Sequence, residues 1–213
     1  MKRQSLISLL VFLCLAAIAS VAQTEYPTVE LAGGYSYVNF HPNLAPLTSQ
    51  NFNGGGGAFV YNFSSLFGVK ADFQGYAVGT GWSRELQRAG YTGVVGASGN
   101  MFTYMFGPQI KKHSGKLQPF GEALFGAAHS NGYGTILRCS QSNGDCSKLT
   151  GNSSNNAFAM EFGGGLDFAL SERVQVRPVE VDYLLTRFGY RNYSANQNNF
   201  KYFAGVNFTL GGK

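Results

Sequence analysis

Charged residues are scarce in this chain: Asp, Glu, Lys and Arg together make up 13% of its 213 residues. A soluble domain usually carries about 25%. Tryptophan occurs once, cysteine three times and proline six times. The few Lys and Arg residues are scattered rather than gathered in one stripe, so no nucleic-acid partner is expected. The low charge favours a protein whose surface is largely in contact with lipid.

Long hydrophobic runs are also missing, apart from one at the N terminus. Two basic residues precede the apolar run Leu6–Ile18, and the stretch 20–22 supplies the small residues that a signal peptidase recognises. This pattern predicts a signal peptide over residues 1–22 and a mature domain over 23–213. A membrane anchor is less favoured, because the run is shorter than the ~20 residues that span a bilayer. Without a later apolar run, any membrane crossing by the mature domain requires a closed β-sheet.

Alternation of apolar and polar residues dominates the mature chain. Every second residue from Phe200 to Leu210 is apolar, and the residues between them are mostly polar or small. Side chains of a strand point alternately to opposite faces, so this segment has one apolar wall and one polar wall. Eight segments follow the pattern: 28–40, 54–63, 67–78, 100–112, 117–128, 157–169, 174–187 and 199–210. In the seventh, the alternation changes phase at Pro178, which predicts a β-bulge there.

The connections between these segments alternate in length. Short turns follow the second, fourth and sixth segments, whereas long loops follow the odd-numbered ones. This asymmetry and the even strand number predict an all-β fold, an eight-stranded antiparallel up-and-down transmembrane β-barrel. A secreted soluble barrel of the lipocalin type is the alternative, with its apolar face turned inward. The aromatic content of 15% and the low charge favour the membrane barrel.

The sixth segment allows a test of which side chains face the lipid and which face the lumen. Phe162 is predicted to face lipid and Gly163 to face the lumen. Phe162→Arg is therefore expected to disrupt the barrel, because Arg at the bilayer midplane costs about 2–4 kcal/mol. Gly163→Ser is expected to be much better tolerated.

Four stretches carry a family resemblance: Met101–His129, Ala157–Phe168, Val176–Gly189 and Asn198–Leu210. Together they resemble the outer-membrane β-barrel proteins grouped with the OmpA-like transmembrane domain and the small porin-family barrels. The resemblance implies a monomer in the outer membrane of a Gram-negative-type cell, surrounded by outer-membrane lipid and inserted by the barrel assembly machinery. With eight strands, both termini are expected in the periplasm and the long loops outside the cell. The extracellular partner, if any, is not identified by the resemblance.

The polar face is the main candidate for function. Ten charged residues are predicted to form a polar network in the lumen: Glu30, Lys70, Asp72, Glu122, Glu161, Asp167, Arg177, Glu180, Asp182 and Lys201. An eight-stranded barrel is just wide enough for its side chains to fill. Because unpaired buried charges cost several kcal/mol, these residues are expected to pair and to close the barrel. A narrow pore of low conductance is the alternative.

Candidate catalytic patterns are few. His41 and His113 are predicted to lie in a loop and a turn, in contact with solvent. His129-Ser130-Asn131 faintly resembles the His-x-Ser-Asn motif of the outer-membrane lipid A deacylases, but an adjacent His and Ser in a strand point to opposite faces. No catalytic residue, metal site or cofactor is therefore expected, and a lipid-modifying enzyme is the least favoured hypothesis.

Two cysteines remain in the mature chain. Cys139 and Cys146 both lie in the longest predicted loop, 129–156. In an oxidising compartment they are predicted to form a disulfide. Trp82, in another long loop, is predicted to anchor the barrel at the membrane interface.

Overall fold

The computed structural model describes residues 26–41, 49–78, 94–139, 146–190, 193–194 and 196–212. The predicted signal peptide and Trp82 lie outside these ranges. The described residues form ten strands: β1 Val29–Phe40, β2 Gln50–Asn62, β3 Phe67–Val78, β4 Val94–Lys111, β5 Leu117–Cys139, β6 Cys146–Ala169, β7 Val174–Arg187, β8 Gly189–Tyr190, β9 Tyr193–Ser194 and β10 Gln197–Leu210.

Eight of these strands close into one barrel in the order β1-β10-β7-β6-β5-β4-β3-β2, with every neighbouring pair antiparallel. β1 closes the barrel against β10 over a register that runs from Val29↔Leu210 to Asn39↔Phe200. β8 and β9 form a separate two-residue hairpin. The predicted eight-stranded up-and-down barrel is confirmed.

Among the described residues, no helix is long and apolar enough to cross a membrane.

The two ends of the barrel differ. The short connections 63–66, 112–116 and 170–173 lie at one end, named here the turn end, together with the paired residues Val29 and Leu210. The opposite end is named the loop end. Gly115, in the second turn, has a φ of 82°, a left-handed conformation that glycine adopts without steric cost.

The hairpin of β5 and β6 is longer than predicted. Residues 129–156 were expected to be irregular, but the two strands stay paired as far as Cys139↔Cys146. β4 likewise begins at Val94 and pairs with this extension. Alternation marks a strand only where one of its faces is buried. This Ser-, Asn- and Gly-rich stretch extends past the barrel, so its sequence carries no such signal.

The barrel wall has its apolar face outside. Large hydrophobic side chains such as Phe73, Phe106 and Phe162 are 40–62% exposed, whereas charged side chains such as Lys70 and Lys201 are 0% exposed. Outward-facing aromatic rings also pair across neighbouring strands, as Phe125 and Phe162 do at 5.8 Å. A lipocalin-type barrel would have the reverse arrangement. The placement of apolar side chains outside and charged side chains inside therefore supports a transmembrane barrel over a soluble one.

The predicted bulge at Pro178 is present. The register of β7 shifts against both of its neighbours around this residue, between Phe203 and Gly205 on β10 and between Leu166 and Phe168 on β6. Both Arg177 and Glu180, on either side of the bulge, are buried in the lumen. The bulge thus changes the phase of the strand so that charged residues before and after it face inward.

The expectation that Gly163→Ser would be well tolerated is wrong. A Cβ atom at this position would lie 2.1 Å from Asp182 Oδ1 and 2.2 Å from the Val181 carbonyl oxygen. The second contact is with backbone of the neighbouring strand, so it cannot be relieved by a side-chain movement. Glycine is required here because β6 and β7 approach too closely for any side chain, and Gly163→Ser is expected to disrupt the barrel.

Candidate functional site

The interior of the barrel is divided into three layers along its axis. The turn-end layer consists of Glu30, Asn62, Lys111, His113, Asp167, Gln175 and Asn207. The middle layer consists of Lys70, Asp72, Glu122, Glu161, Arg177, Glu180, Asp182 and Lys201. The loop-end layer is mainly apolar and contains Val38, Phe40, Phe52, Tyr76, Met101, Met105, Leu124, Ala128, Ala159 and Leu184. Buried polar side chains lie among them, namely Ser36, Thr103, Thr186, Gln197 and Asn199.

Lys70 of β3 connects opposite walls in the middle layer. Its Nζ lies 2.7 Å from Glu122 Oε1 on β5 and 3.1 Å from Glu180 Oε1 on β7. Asp72, two residues along β3, lies 3.5 Å away. The centroid of the Phe120 ring lies 4.2 Å from Arg177 Cζ and 5.9 Å from Lys70 Nζ, so both cations are within range of a cation–π contact with it.

Lys201 of β10 is the second centre of the middle layer. Its ammonium group contacts Glu161 on β6 and lies 3.2 Å from Asp182 and 3.4 Å from Glu180 on β7. Asp72 on β3 lies 3.9 Å away. One ammonium group thus faces carboxylates from three other strands, which ties distant parts of the wall together across the lumen.

Arg177 joins the middle layer to the turn-end layer. Its Nε and Nη2 donate to the two oxygens of Asp167 at 2.7 and 2.9 Å, and its Nη1 donates to Glu180 at 2.6 Å. Lys111 Nζ then lies 2.6 Å from Asp167 and 2.5 Å from Glu30. The ion pairs are therefore continuous from the middle of the barrel to its turn end.

All ten residues predicted for the lumen lie inside the barrel, with exposures between 0 and 8%. Lys111 was not among them, although it holds two of the acids together. The alternation of β4 contains the signal that identifies it, because Phe106 and Ile110 face outward and Lys111 therefore faces inward.

The two histidines predicted to be solvated, His41 and His113, differ in their exposure to solvent. His41 is exposed at the loop end, where its backbone N–H donates to Asn199 Oδ1 at 2.8 Å. The prediction for His113 is wrong: its side chain is only 3% exposed and its Nε2 lies 2.9 Å from Glu30 Oε1. A turn residue buries its side chain here because the turn folds over the mouth of the barrel.

Four acids are close enough to suggest a metal site. Carboxylate oxygens of Glu122, Glu161, Glu180 and Asp182 all lie within 4.8 Å of one another. Oxygen ligands of this kind suit Ca²⁺ or Mg²⁺. However, the ammonium groups of Lys70 and Lys201 contact the same oxygens, so lysine side chains supply the positive charge that a cation would bring.

The described groups that could take part in catalysis are already engaged in other contacts. Glu180 and Asp182 lie on the same face, two residues apart, but both contact Lys201 as structural ion pairs. His129 Nδ1 lies 2.6 Å from Asn156 Oδ1 on the neighbouring strand.

Cys139 and Cys146 are direct register partners at the end of the β5–β6 ladder. Residues directly opposite in an antiparallel pair have a Cα separation in the range that a disulfide requires, roughly 4.5–5.5 Å. The side chains themselves are outside the described part of the structure, so the disulfide stays a prediction.

The apolar loop-end layer covers the charged layers. The rings of Phe40 and Phe52 stack at 4.9 Å, and Phe188 packs edge-on against Phe40 at 6.4 Å. Met101 and Leu124 fill the interior beside them, with exposures of 1% or less. Charges in the middle layer are thereby separated from the loop end by a layer of buried side chains, most of them hydrophobic.

Comparison with known proteins agrees with this architecture. No protein-family model matches the sequence, and no curated protein matches it. Among solved structures, Ail, the attachment invasion locus protein of Yersinia pestis, is 14% identical with a TM-score of 0.52, over 87% of this chain and 98% of that chain. Neisserial surface protein A is 10% identical with a TM-score of 0.55, over 88% of this chain and 99% of that chain. The chain therefore has the fold of the eight-stranded outer-membrane β-barrel proteins, which its sequence also resembles.

Proposed function

We propose that the protein is a closed, non-catalytic barrel of the outer membrane that acts through its loop-end surface, in envelope structure or in surface interaction. The observation that carries this proposal is the occluded lumen. Lys70, Glu161, Asp182 and Lys201 are 0% exposed, so these charged side chains are not in contact with solvent. A conducting pore requires water beside its charged groups.

The loop-end extension supports a role at the surface. The β5–β6 ladder continues from Ala128↔Ala157 to Cys139↔Cys146, beyond the part of β6 that pairs with β7. At ~3.3 Å per residue this extension is roughly 35 Å long. Ail carries the name attachment invasion locus protein, and attachment through this extension is the corresponding proposal here.

The orientation follows the usual asymmetry of such barrels. Short turns and both termini are placed in the periplasm, and the loop end is placed outside the cell. The outward aromatic wall fits outer-membrane lipid, and closure of the sheet within one chain is compatible with a monomer. Insertion by the barrel assembly machinery belongs to the same proposal.

Planar-bilayer recordings test whether the lumen is closed. The refolded protein is expected to produce no stepwise conductance. Co-flotation with lipid vesicles serves as the control that the protein has inserted into the membrane. Discrete conductance steps from inserted protein would favour the narrow pore instead.

A shortened hairpin separates the structural role from the surface role. Replacing 133–152 by a short glycine turn removes the extension and leaves the barrel strands intact. If the protein acts through its surface, the shortened variant is expected to restore detergent resistance to a deletion strain but not its surface attachment. Complete restoration of both would assign the function to the barrel alone.

A further inference from the structure

His113 connects three parts of the turn end. It lies in the connection between β4 and β5. Its Nδ1 lies 2.8 Å from the carbonyl oxygen of Ser65, in the turn between β2 and β3. Its Nε2 lies 2.9 Å from Glu30 Oε1 on β1. These two contacts hold the second turn against the first turn and against the strand that closes the barrel.

Both contacts require His113 to donate. The Ser65 carbonyl can only accept a hydrogen bond. Glu30 also acts as an acceptor, because its Oε1 receives Asn62 Nδ2 at 2.9 Å and its Oε2 receives Lys111 Nζ and Asn207 Nδ2 at 2.5 Å each. A neutral imidazole has one N–H, whereas the imidazolium has two. Only the protonated ring can therefore complete both bonds.

Charged and titratable groups from several elements surround His113. The titratable and charged groups around His113 are Tyr26 of the N-terminal segment, Glu30 of β1, Lys111 of β4, Asp167 of β6, Glu172 and Arg173 of the β6–β7 turn, and the exposed Lys112 and Lys116 of its own turn. The two buried acids nearest to this turn are already paired, because Lys111 contacts both Glu30 and Asp167 and Arg177 contacts Asp167.

The histidine also borders a vestibule of about 810 Å³ at the turn end. Tyr26, Gln118, Gln175 and Arg173 line the same space. The Tyr26 ring lies 6.3 Å from the imidazole. The vestibule therefore already borders the turn-end layer, and movement of the β4–β5 turn away from Glu30 would extend it to this carboxylate.

We propose that His113, Glu30 and the Ser65 carbonyl form a proton-dependent clasp that keeps the turn end closed and releases the β4–β5 turn when the ring loses a proton. The clasp is complete in the imidazolium form. It is therefore present at acidic pH and is lost as the pH rises. Histidine is the side chain suited to such a change near neutral pH.

Amide hydrogen exchange in detergent micelles tests the clasp. The relevant amides are those of Ser64, which donates to the Phe67 carbonyl, Lys111, which donates to the Leu66 carbonyl, and Lys112, which donates to the Pro119 carbonyl. After correction for intrinsic exchange rates, their protection is expected to fall at least about tenfold between pH 5.5 and 8.5, the scale of one charge-assisted hydrogen bond. Protection of the other barrel-strand amides, away from these turns, is expected to remain constant over the same range.

Three variants identify the titrating group. His113→Phe, which keeps a ring but has no N–H donor, is expected to show low protection of these amides at both pH values. His113→Lys, which keeps the charge, is expected to show high protection at both. His129→Phe, at the loop end, serves as the matched control and is expected to behave like the wild type. Protection that does not change with pH in the wild type would overturn the proposal. So would the wild-type pH dependence persisting in His113→Phe or in His113→Lys.

Discussion

Lys201→Met tests the ion-pair network most directly. Methionine keeps the length and most of the volume of the lysine but removes its charge. Glu161, Asp182 and Glu180 then lose the ammonium group that they contact in the middle layer. Removing one partner of a buried ion pair costs about 3–5 kcal/mol, because the partner charge stays buried without compensation. Glu161 and Asp182 are the partners left in this state, whereas Glu180 keeps Lys70 and Arg177. We expect a loss of that size in the free energy of unfolding.

The measurement is urea unfolding of the protein in lipid vesicles, followed by far-ultraviolet circular dichroism. Lys116→Met is the matched control, because Lys116 is exposed in the β4–β5 turn, and its effect is expected to stay within about 0.5 kcal/mol. The double variant Lys201→Met/Asp182→Asn is expected to recover part of the loss, since it removes one uncompensated charge. If Lys201→Met unfolds with the same midpoint and slope as Lys116→Met, the network does not stabilise the barrel.

Three further predictions concern the wall and the loop end. Unboiled protein in SDS is expected to migrate differently from boiled protein, because a closed hydrogen-bond ladder resists the detergent; identical migration would argue against a closed membrane barrel. Phe162→Arg is expected to lose about 2–4 kcal/mol of stability or to fail to assemble, whereas Phe162→Leu folds normally; equal stability of the two would mean that this residue does not face lipid. On intact cells, Cys139 and Cys146 are expected to react with a membrane-impermeant maleimide only after reduction. Labelling without reduction would exclude the disulfide, and no labelling after reduction would contradict the proposed orientation.

The alternation of apolar and polar residues predicts much of the fold. One buried face and one lipid-facing face impose a period of two, so the sequence identified eight strands and the inward direction of ten charged residues. It also located the bulge, because Pro178 cannot donate to a ladder and the alternation changes phase there. The same reasoning failed for 129–156, because the β5–β6 ladder continues there beyond the part of β6 that pairs with β7, in a Ser-, Asn- and Gly-rich stretch without clear alternation.

The sequence by itself determined which side chains face the lumen, but only the tertiary structure decided which of them meet. Lys70 contacts Glu122 and Glu180, and Lys201 contacts Glu161, although these partners are far apart along the chain. Alternation specifies the face of a residue and not its height along the barrel axis, which depends on the register of every strand pair around the wall. The burial of the His113 side chain could not be predicted from the sequence for a related reason. A turn residue has no periodicity to assign, and its burial depends on how the turn folds across the mouth of the closed barrel.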